Sequence, residues 1–263
     1  KALKPVYFDE VIMGNVLTAG VGQNPPRQSA IFAGLPEETN VYTVQKVCAS
    51  GMKAIALAAQ AIMAGEGDIY VAGGMENMSN VPYGLADARW GYRMNMPFGK
   101  VTDLMVHDGL WEIFNGYHMG VTAENLAAKY GISRQDQDLL ATASQNKAEA
   151  AIAAGRFKAE IVPVAIPQKK GDPVVVDKDE FPRAGVTVEA LAKLKPAFKP
   201  DGTVTAGNAS GINDGAAALI VCSGSAVKAK GLAPMARVAS YGWHGVDPAI
   251  MGLGETRAAQ AAL

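Results

Sequence analysis

Cysteine is scarce in this chain: 263 residues contain two, Cys48 and Cys222. Two thiols 174 positions apart cannot make a disulfide framework, nor a Cys₄ or Cys₂His₂ zinc cluster in cis. So little cysteine suits a reducing compartment, and a cytoplasmic location is the expectation. Charge of either sign is not in excess, with 24 Lys and Arg against 25 Asp and Glu. A non-specific nucleic-acid binder would carry a cationic surplus, so no nucleic-acid partner is expected. There is no run of 18 or more wholly apolar residues, so no transmembrane helix and no membrane partner are expected. The opening KALKPVYFDE lacks the apolar stretch of a signal peptide. GxxxxGK[ST] and GxGxxG are both absent, and Gly73-Gly74 follows a strand without that spacing. Asp9-Glu10 and Asp179-Glu180 read as solvated surface, which leaves paired-carboxylate glycosidase chemistry unsupported.

What the chain has is apolar residues, 49% of the total, and 29 glycines. That is glycine above the usual ~7%, which points to tight turns and close backbone approaches. Residues 6–13 read as a strand, 14–29 as a loop, 28–34 as a helical run and 41–47 as a β-branched strand. MKAIALAAQAIMA at 52–64 is apolar almost all round, the pattern of a helix inside the protein. IYVAGG at 69–74 completes a βαβ unit and makes the chain α/β. From 75 to about 118 the texture turns to Met, Gly, Asn and aromatics, suggesting adaptable packing and substrate-covering loops. Helices are expected at 122–130, with Thr122 as a cap, and after the capping box Ser133–Asp136 as far as Ala154. Strands follow at 161–167 and 173–176, then a short helix at 187–195. Within 203–223 a short helix after Asp214 is possible, and 216–222 is either a buried strand or a helix end. Residues 225–230 look helical and 237–242 strand-like.

Cys48 lies where a strand gives way to the apolar helix. Backbone N–H groups at a helix N-terminus favour negative charge, so a thiol held there is more often a thiolate. The same amides can stabilise an oxyanion on an attacked carbonyl, and Ala49, Ser50 and Gly51 are small enough to admit a substrate. Spacing alone equally allows Cys48 to be a buried small hydrophobe. Cys222, inside AALIVCS, reads as packing. Among the histidines, His118 in GYHMGVTAEN is the best pocket candidate, ahead of His244 and His107.

The stretch VCASGMKAIALAAQAIMAGEGDIYVAGGMENMSNVPY at 47–83 resembles the thiolase family and, within it, the acetyl-CoA acetyltransferases. QNPPRQSAIFAGLP at 23–36, DGLWEIFNGYHMGVTAEN at 108–125, VTVEALAKLKPAF at 186–198, GTVTAGNASGINDGAA at 202–217 and GVDPAIMG at 245–252 resemble it in the same order. The resemblance implies a layered αβαβα thiolase fold. Residues 1–79 would be the first part of its N-terminal half and 80–205 the coenzyme A-binding loop domain. Residues 206–263 would return to the half and begin the connection to a C-terminal half. Cys48 would be the acylated nucleophile. His118 and Met119 would line the pocket, Arg183 would lie near the adenine or phosphate end of coenzyme A, and Ser210 would touch the pantetheine arm. Lys193, Lys195 and Lys199 are read as exposed. No metal or resident cofactor is implied, coenzyme A being a substrate. A homodimer or homotetramer is implied for the full-length protein, with Gln23–Arg27 near the dimer contact.

The implied reaction joins two acetyl-CoA into acetoacetyl-CoA, or cleaves a 3-ketoacyl-CoA in reverse, as in fatty acid metabolism. The acyl pocket would be shaped by 85–105, with Trp90, Met94, Met96 and Phe98 as lining. The family's Asn-Glu-Ala-Phe, Gly-His-Pro and second-cysteine segments do not occur in the sequence, nor does its Arg-Thr-Pro turn, and Glu255 replaces a usual proline. The expectation is therefore part of a thiolase, exposing an apolar face when alone. The rival readings are a non-catalytic acyl-CoA-binding module and a structural half needing a partner chain.

Overall fold

The structure is a computed structural model describing residues 3–4, 7–91 and 100–263. In chain order the elements are β1 (Glu10–Gly14), α1 (Pro25–Phe32), β2 (Asn40–Val44), α2 (Ser50–Ala64) and β3 (Ile69–Asn77). The short strands β4 (Tyr83–Gly84), β5 (Thr102–Asp103), β6 (Trp111–Glu112) and β7 (Tyr117–His118) follow. Then come α3 (Met119–Tyr130), α4 (Arg134–Ala153), β8 (Val164–Ile166), β9 (Val174–Val176) and α5 (Val188–Ala192). β10 (Asp214–Cys222), α6 (Gly224–Lys230) and α7 (Leu253–Ala262) close the chain.

Two compact units form. One contains 1–118, 212–246 and 253–263; the other contains 119–211 and 247–252. The first carries a four-stranded sheet in the order β10–β3–β1–β2. β1 runs parallel to both β2 and β3, while β10 is antiparallel to β3. Side chains alternate across each strand. Ile12, Tyr70 and Ala72 therefore meet Ala54 and Ala58 of α2 on one face. Val11, Met13 and Val41 meet Ala30 of α1 on the other. Asp9, expected to be idle surface, binds the start of β3: its Oδ2 accepts Asp68 N at 2.7 Å and Ile69 N at 2.8 Å. Its neighbour Glu10 accepts a hydrogen bond from Asn40 Nδ2. Burial pushes the Glu10 carboxyl up, the Asn40 bond opposes this, and Glu66 adds to the rise.

Several sequence expectations change here. β1 begins only at Glu10. α2 is buried along Ser50, Ala54, Ala56 and Ala58 alone, while Met52 and Met63 are 76% and 79% exposed. An apolar composition does not say how many faces find a partner. Val47–Ala64 is long and apolar enough to cross a membrane by length and composition, yet its alanine face lies on the sheet. Residues 214–222 form a strand, not a helix, and it is an exposed edge, with Leu219 and Ile220 41% and 47% exposed. Residues 237–242 form no strand. Thr122 lies inside α3, its hydroxyl donating to Met119 O at 2.6 Å instead of capping the helix. The capping box at Ser133 and Asp136 is present as expected.

In the second unit α4 packs on α5, and β8 pairs with β9 as an exposed hairpin. Residues 80–91 and 100–118 belong to the sheet unit, where Gly109 sits against Leu17: a Cβ built on Gly109 would lie 3.1 Å from Leu17 Cδ2.

Candidate active site

Between the end of β2 and the start of α2 the chain makes a tight turn through Val47, Cys48 and Ala49. Val47 has φ 48°. A β-branched residue in the left-handed region is strained by about 1–2 kcal/mol, and it persists only where its surroundings hold it. The holding groups are identifiable. Ser50 Oγ accepts Lys46 N at 2.8 Å and donates to Val47 O. Gln45 Oε1 accepts Val47 N at 3.0 Å. Ser50 was expected only to be small; 4% exposed, it is the clamp of the turn. Its hydroxyl is thereby occupied, and the N-cap residue Ala49 has no side chain to offer, so α2 starts without a side-chain cap. Cys48 stands exposed immediately before this helix start, where the amides of Ala49 and Ser50 donate to Lys46 O at 3.2 Å and Val47 O at 3.1 Å. In this structure it is therefore not buried as a small hydrophobe, one of its two readings.

The strain makes a prediction. Val47→Asn, with a residue that tolerates positive φ, is expected to raise stability by about 1 kcal/mol. It should leave the rate of Cys48 alkylation unchanged, because Ser50 and Gln45 still hold the backbone of the turn. Thermal denaturation and timed iodoacetamide labelling check the two effects.

Cys48 opens onto a cavity of about 490 Å³. Its walls are the ends of β1 and β3, the loop Asn15–Leu17, Gly109–Leu110 and the first residues of β10. Glycine makes the junction. A Cβ on Gly14 would lie 2.6 Å from Gly51 N and from the Ser50 backbone, so the first turn of α2 rests directly on the end of β1. A Cβ on Gly73 would lie 2.0 Å from Ala217 O. Gly51, expected to admit substrate, lines the cavity and faces the Gly73–Gly74 backbone at ordinary contact distance. The polar floor, not foreseen from the sequence, is the pair Asn15 and Glu76, 5% exposed and half-buried respectively. Glycines 14 and 73–74, followed by Asn and Met-Glu after two strands, were the available signal.

The other predicted residues are more scattered. His118 is half-buried in β7, paired with Trp111, and is not among the residues lining the cavity. Burial lowers its pKa from 6.5, so the neutral imidazole prevails at neutral pH. His107 and His244 are exposed. Cys222 ends β10, half-buried opposite Ile69, and burial pushes its thiol up. Met119 begins α3 in the second unit, where Arg183 and Ser210 are both exposed. The Arg183 amide donates to Gln145 Oε1 at 3.0 Å. Trp90 is 87% exposed, and Met94, Met96 and Phe98 lie outside the described residues. Lys193 and Lys195 are exposed as expected, but Lys199 is half-buried and donates to Asn125 Oδ1 at 3.2 Å. Among the described residues no group of three His, Cys, Asp or Glu side chains is placed to hold a metal ion.

The segment leading to Ser210 is locked by buried acids that sequence reasoning missed. Glu124, 5% exposed, accepts Val204 N at 2.8 Å, Thr203 N at 2.8 and 2.9 Å, and Thr203 Oγ1 at 2.9 Å. Asp138 accepts Asn208 Nδ2 at 2.9 Å and pairs with Arg134 at 2.8 Å. Burial alone would raise the Glu124 pKa, but the bonds from Val204 and Thr203, with Lys199 nearby, hold it below 4.5. A depressed carboxylate contributes stability above its unfolded pKa and loses it as pH falls through the folded value. Glu124→Ala is therefore expected to destabilise by about 1–3 kcal/mol, leaving Thr203 and Val204 amides unpaired. That loss should be full at pH 7 and shrink as pH falls below 4.5, which denaturant titrations at pH 7 and well below pH 4.5 check.

With this geometry in hand, the family follows. The chain belongs to the thiolase family: residues 1–225 match its N-terminal domain, described as "Thiolase, N-terminal domain". It is 60% identical over 255 residues to the acetyl-CoA acetyltransferase of Pseudomonas aeruginosa, covering 97% of this chain and 64% of that protein. It is 57% identical over 261 residues to the acetyl-CoA acetyltransferase of Cupriavidus necator, covering 99% and 66%. The crystal structure of the Bacillus anthracis acetyl-CoA acetyltransferase superposes with a TM-score of 0.94 at 44% identity, covering 99% of this chain and 65% of that one. The α/β thiolase fold is therefore that of this chain, which spans about two thirds of the length of these relatives.

Proposed function

We propose that this chain carries the acyl-accepting site of an acetyl-CoA acetyltransferase. The observation that carries the reading is Cys48, exposed on a strained turn, beside a cavity and at the start of a helix that has no side-chain cap. The thiolate of Cys48 attacks the thioester carbonyl of acetyl-CoA. A carbon–sulfur bond forms to Cys48, the bond to coenzyme A breaks, and coenzyme A leaves as a thiolate that takes up a proton. Fixed amide dipoles at the start of α2 stabilise the oxyanion formed in between. A second acetyl-CoA, deprotonated at its methyl group, then attacks the acetyl-cysteine to give acetoacetyl-CoA. Thiolysis of a 3-ketoacyl-CoA is the reverse.

In this reading His118 and Met119 border the thioester, Arg183 lies toward the nucleotide end of coenzyme A and Ser210 toward its pantetheine arm. No resident cofactor takes part. A homodimer or homotetramer in the cytoplasm, working in fatty acid metabolism, completes the proposal. The relatives are named as transferases, which does not favour a non-catalytic acyl-CoA-binding module or a purely structural half. Incubation with acetyl-CoA followed by intact-mass measurement tests it. One acetyl group on the wild type and none on Cys48→Ala is the expected result; an unmodified wild type overturns it.

A further inference from the structure

Glu76 lies at the end of β3, on the wall of the Cys48 cavity. Its carboxylate takes three hydrogen bonds from the loop after β1: Asn15 Nδ2 at 2.8 Å, Val16 N at 3.0 Å and Leu17 N at 2.9 Å. Asn15 ties the remaining strand ends together, donating from Nδ2 to Met75 O at 3.1 Å and from its backbone N to Val44 O at 3.1 Å. Two acceptors on Nδ2 fix which way the amide points. Its Oδ1 is left buried with no hydrogen-bond partner. Leaving a buried acceptor unpaired costs stability, so the residue is held there for what its donors do. The product of the network is the position of Leu17, 4% exposed, pressed against Gly109 and lining the same cavity as Cys48.

We propose that Glu76 is a positioning residue: through Asn15 and the amides of 16–17 it holds Leu17 as the wall that limits acyl length at Cys48. This rests on the acyl-accepting reading of Cys48 and adds what sets its selectivity. Leu17 is the part that meets the acyl group, and Glu76 acts only through it. A carboxylate is required because all three partners are donors. A glutamine side chain in its place would turn one or two N–H groups of its own toward them.

The test is the ratio of acyl transfer to Cys48 from hexanoyl-CoA and from acetyl-CoA, in wild type, E76A, E76Q, L17A and E76A/L17A. All carry Cys222→Ser, and all are compared only while their circular dichroism matches wild type. The expected result is a ratio raised about tenfold or more in E76A and in L17A. The double variant should gain no more than either single, since both remove one wall. Alkylation of Cys48 by iodoacetamide, too small to reach the wall, should keep its wild-type rate; a merely structural role would change both together. Should E76A not fold, E76Q and L17A decide in its place. An unchanged ratio in a folded variant, or fully additive effects, overturns the proposal. Methyl and hexyl methanethiosulfonate, which form a disulfide with Cys48 and release methanesulfinate, repeat the comparison without coenzyme A. A wild type that accepts no acetyl group but shows the same variant-dependent hexyl-to-methyl ratio refutes the function and leaves the wall standing. One that accepts acetyl with an unchanged ratio does the opposite.

Discussion

Replacing Cys48 by alanine is expected to lower acetyl transfer from acetyl-CoA by at least about 10³-fold, as removal of a nucleophile does elsewhere. It should leave the melting temperature where it was. The two halves of this expectation have separate physical grounds. Cys48 is exposed and packs into neither core cluster, so trimming its sulfur leaves no buried cavity. The turn is held by Ser50, Gln45 and the backbone of Lys46 and Val47, none of which changes. Cys222 is no substitute: it is half-buried on β10 and burial pushes its thiol up, which keeps it protonated and slow. Intact-mass time courses give the rate, and thermal denaturation gives the stability. A variant that loses transfer and also melts early would point to the turn instead of the sulfur.

Gly14→Ala should act in the opposite manner, removing the fold of the site before any chemistry. The new methyl group would lie 2.6 Å from Gly51 N and from Ser50 backbone carbon, and neither β1 nor α2 can retreat without separating from its neighbours. Overpacking of this kind costs about 3 kcal/mol, the upper end of its range. Gly73→Ala is expected to be worse, since its Cβ would fall 2.0 Å from Ala217 O inside the β3–β10 ladder. Gly51→Ala supplies the contrast. Its nearest contacts would be 3.5–3.7 Å, so the same added methyl should leave stability unchanged or raise it by about 0.5–1 kcal/mol through helix propensity. Urea titrations of the three variants check the order Gly73, Gly14, Gly51. Equal losses at all three would refute the close-approach account.

Much of this was legible in the sequence, and for definable reasons. The βαβ unit around Cys48 was readable because β2, α2 and β3 each carry an undisturbed local pattern. The capping box at Ser133 and Asp136 was readable because both partners lie within one helical turn. Failures occurred where partners are distant. Asp9 looked like surface until β3 placed two amides on it. Asn15 and Glu76 are 61 residues apart, and Glu124 and Thr203 are 79 apart, so no window of sequence holds either pair. The strand alternative for β10 held, but its burial was misread because an apolar run shows that a strand can be buried, not that anything covers it. Cys48 itself was undecided by spacing. Resemblance pointed to the nucleophile, and the turn at Val47 supplies the physical reason its side chain stands clear of the core.

The most direct trial of the account is a map of where acetyl lands. Wild-type protein is exposed to acetyl-CoA, digested, and the peptides carrying Cys48 and Cys222 are quantified with and without subsequent addition of free coenzyme A. The account predicts acetyl on Cys48 alone, removed again as coenzyme A regenerates acetyl-CoA. Label shared equally with Cys222, or fixed on Cys48 and untouched by coenzyme A, would contradict it.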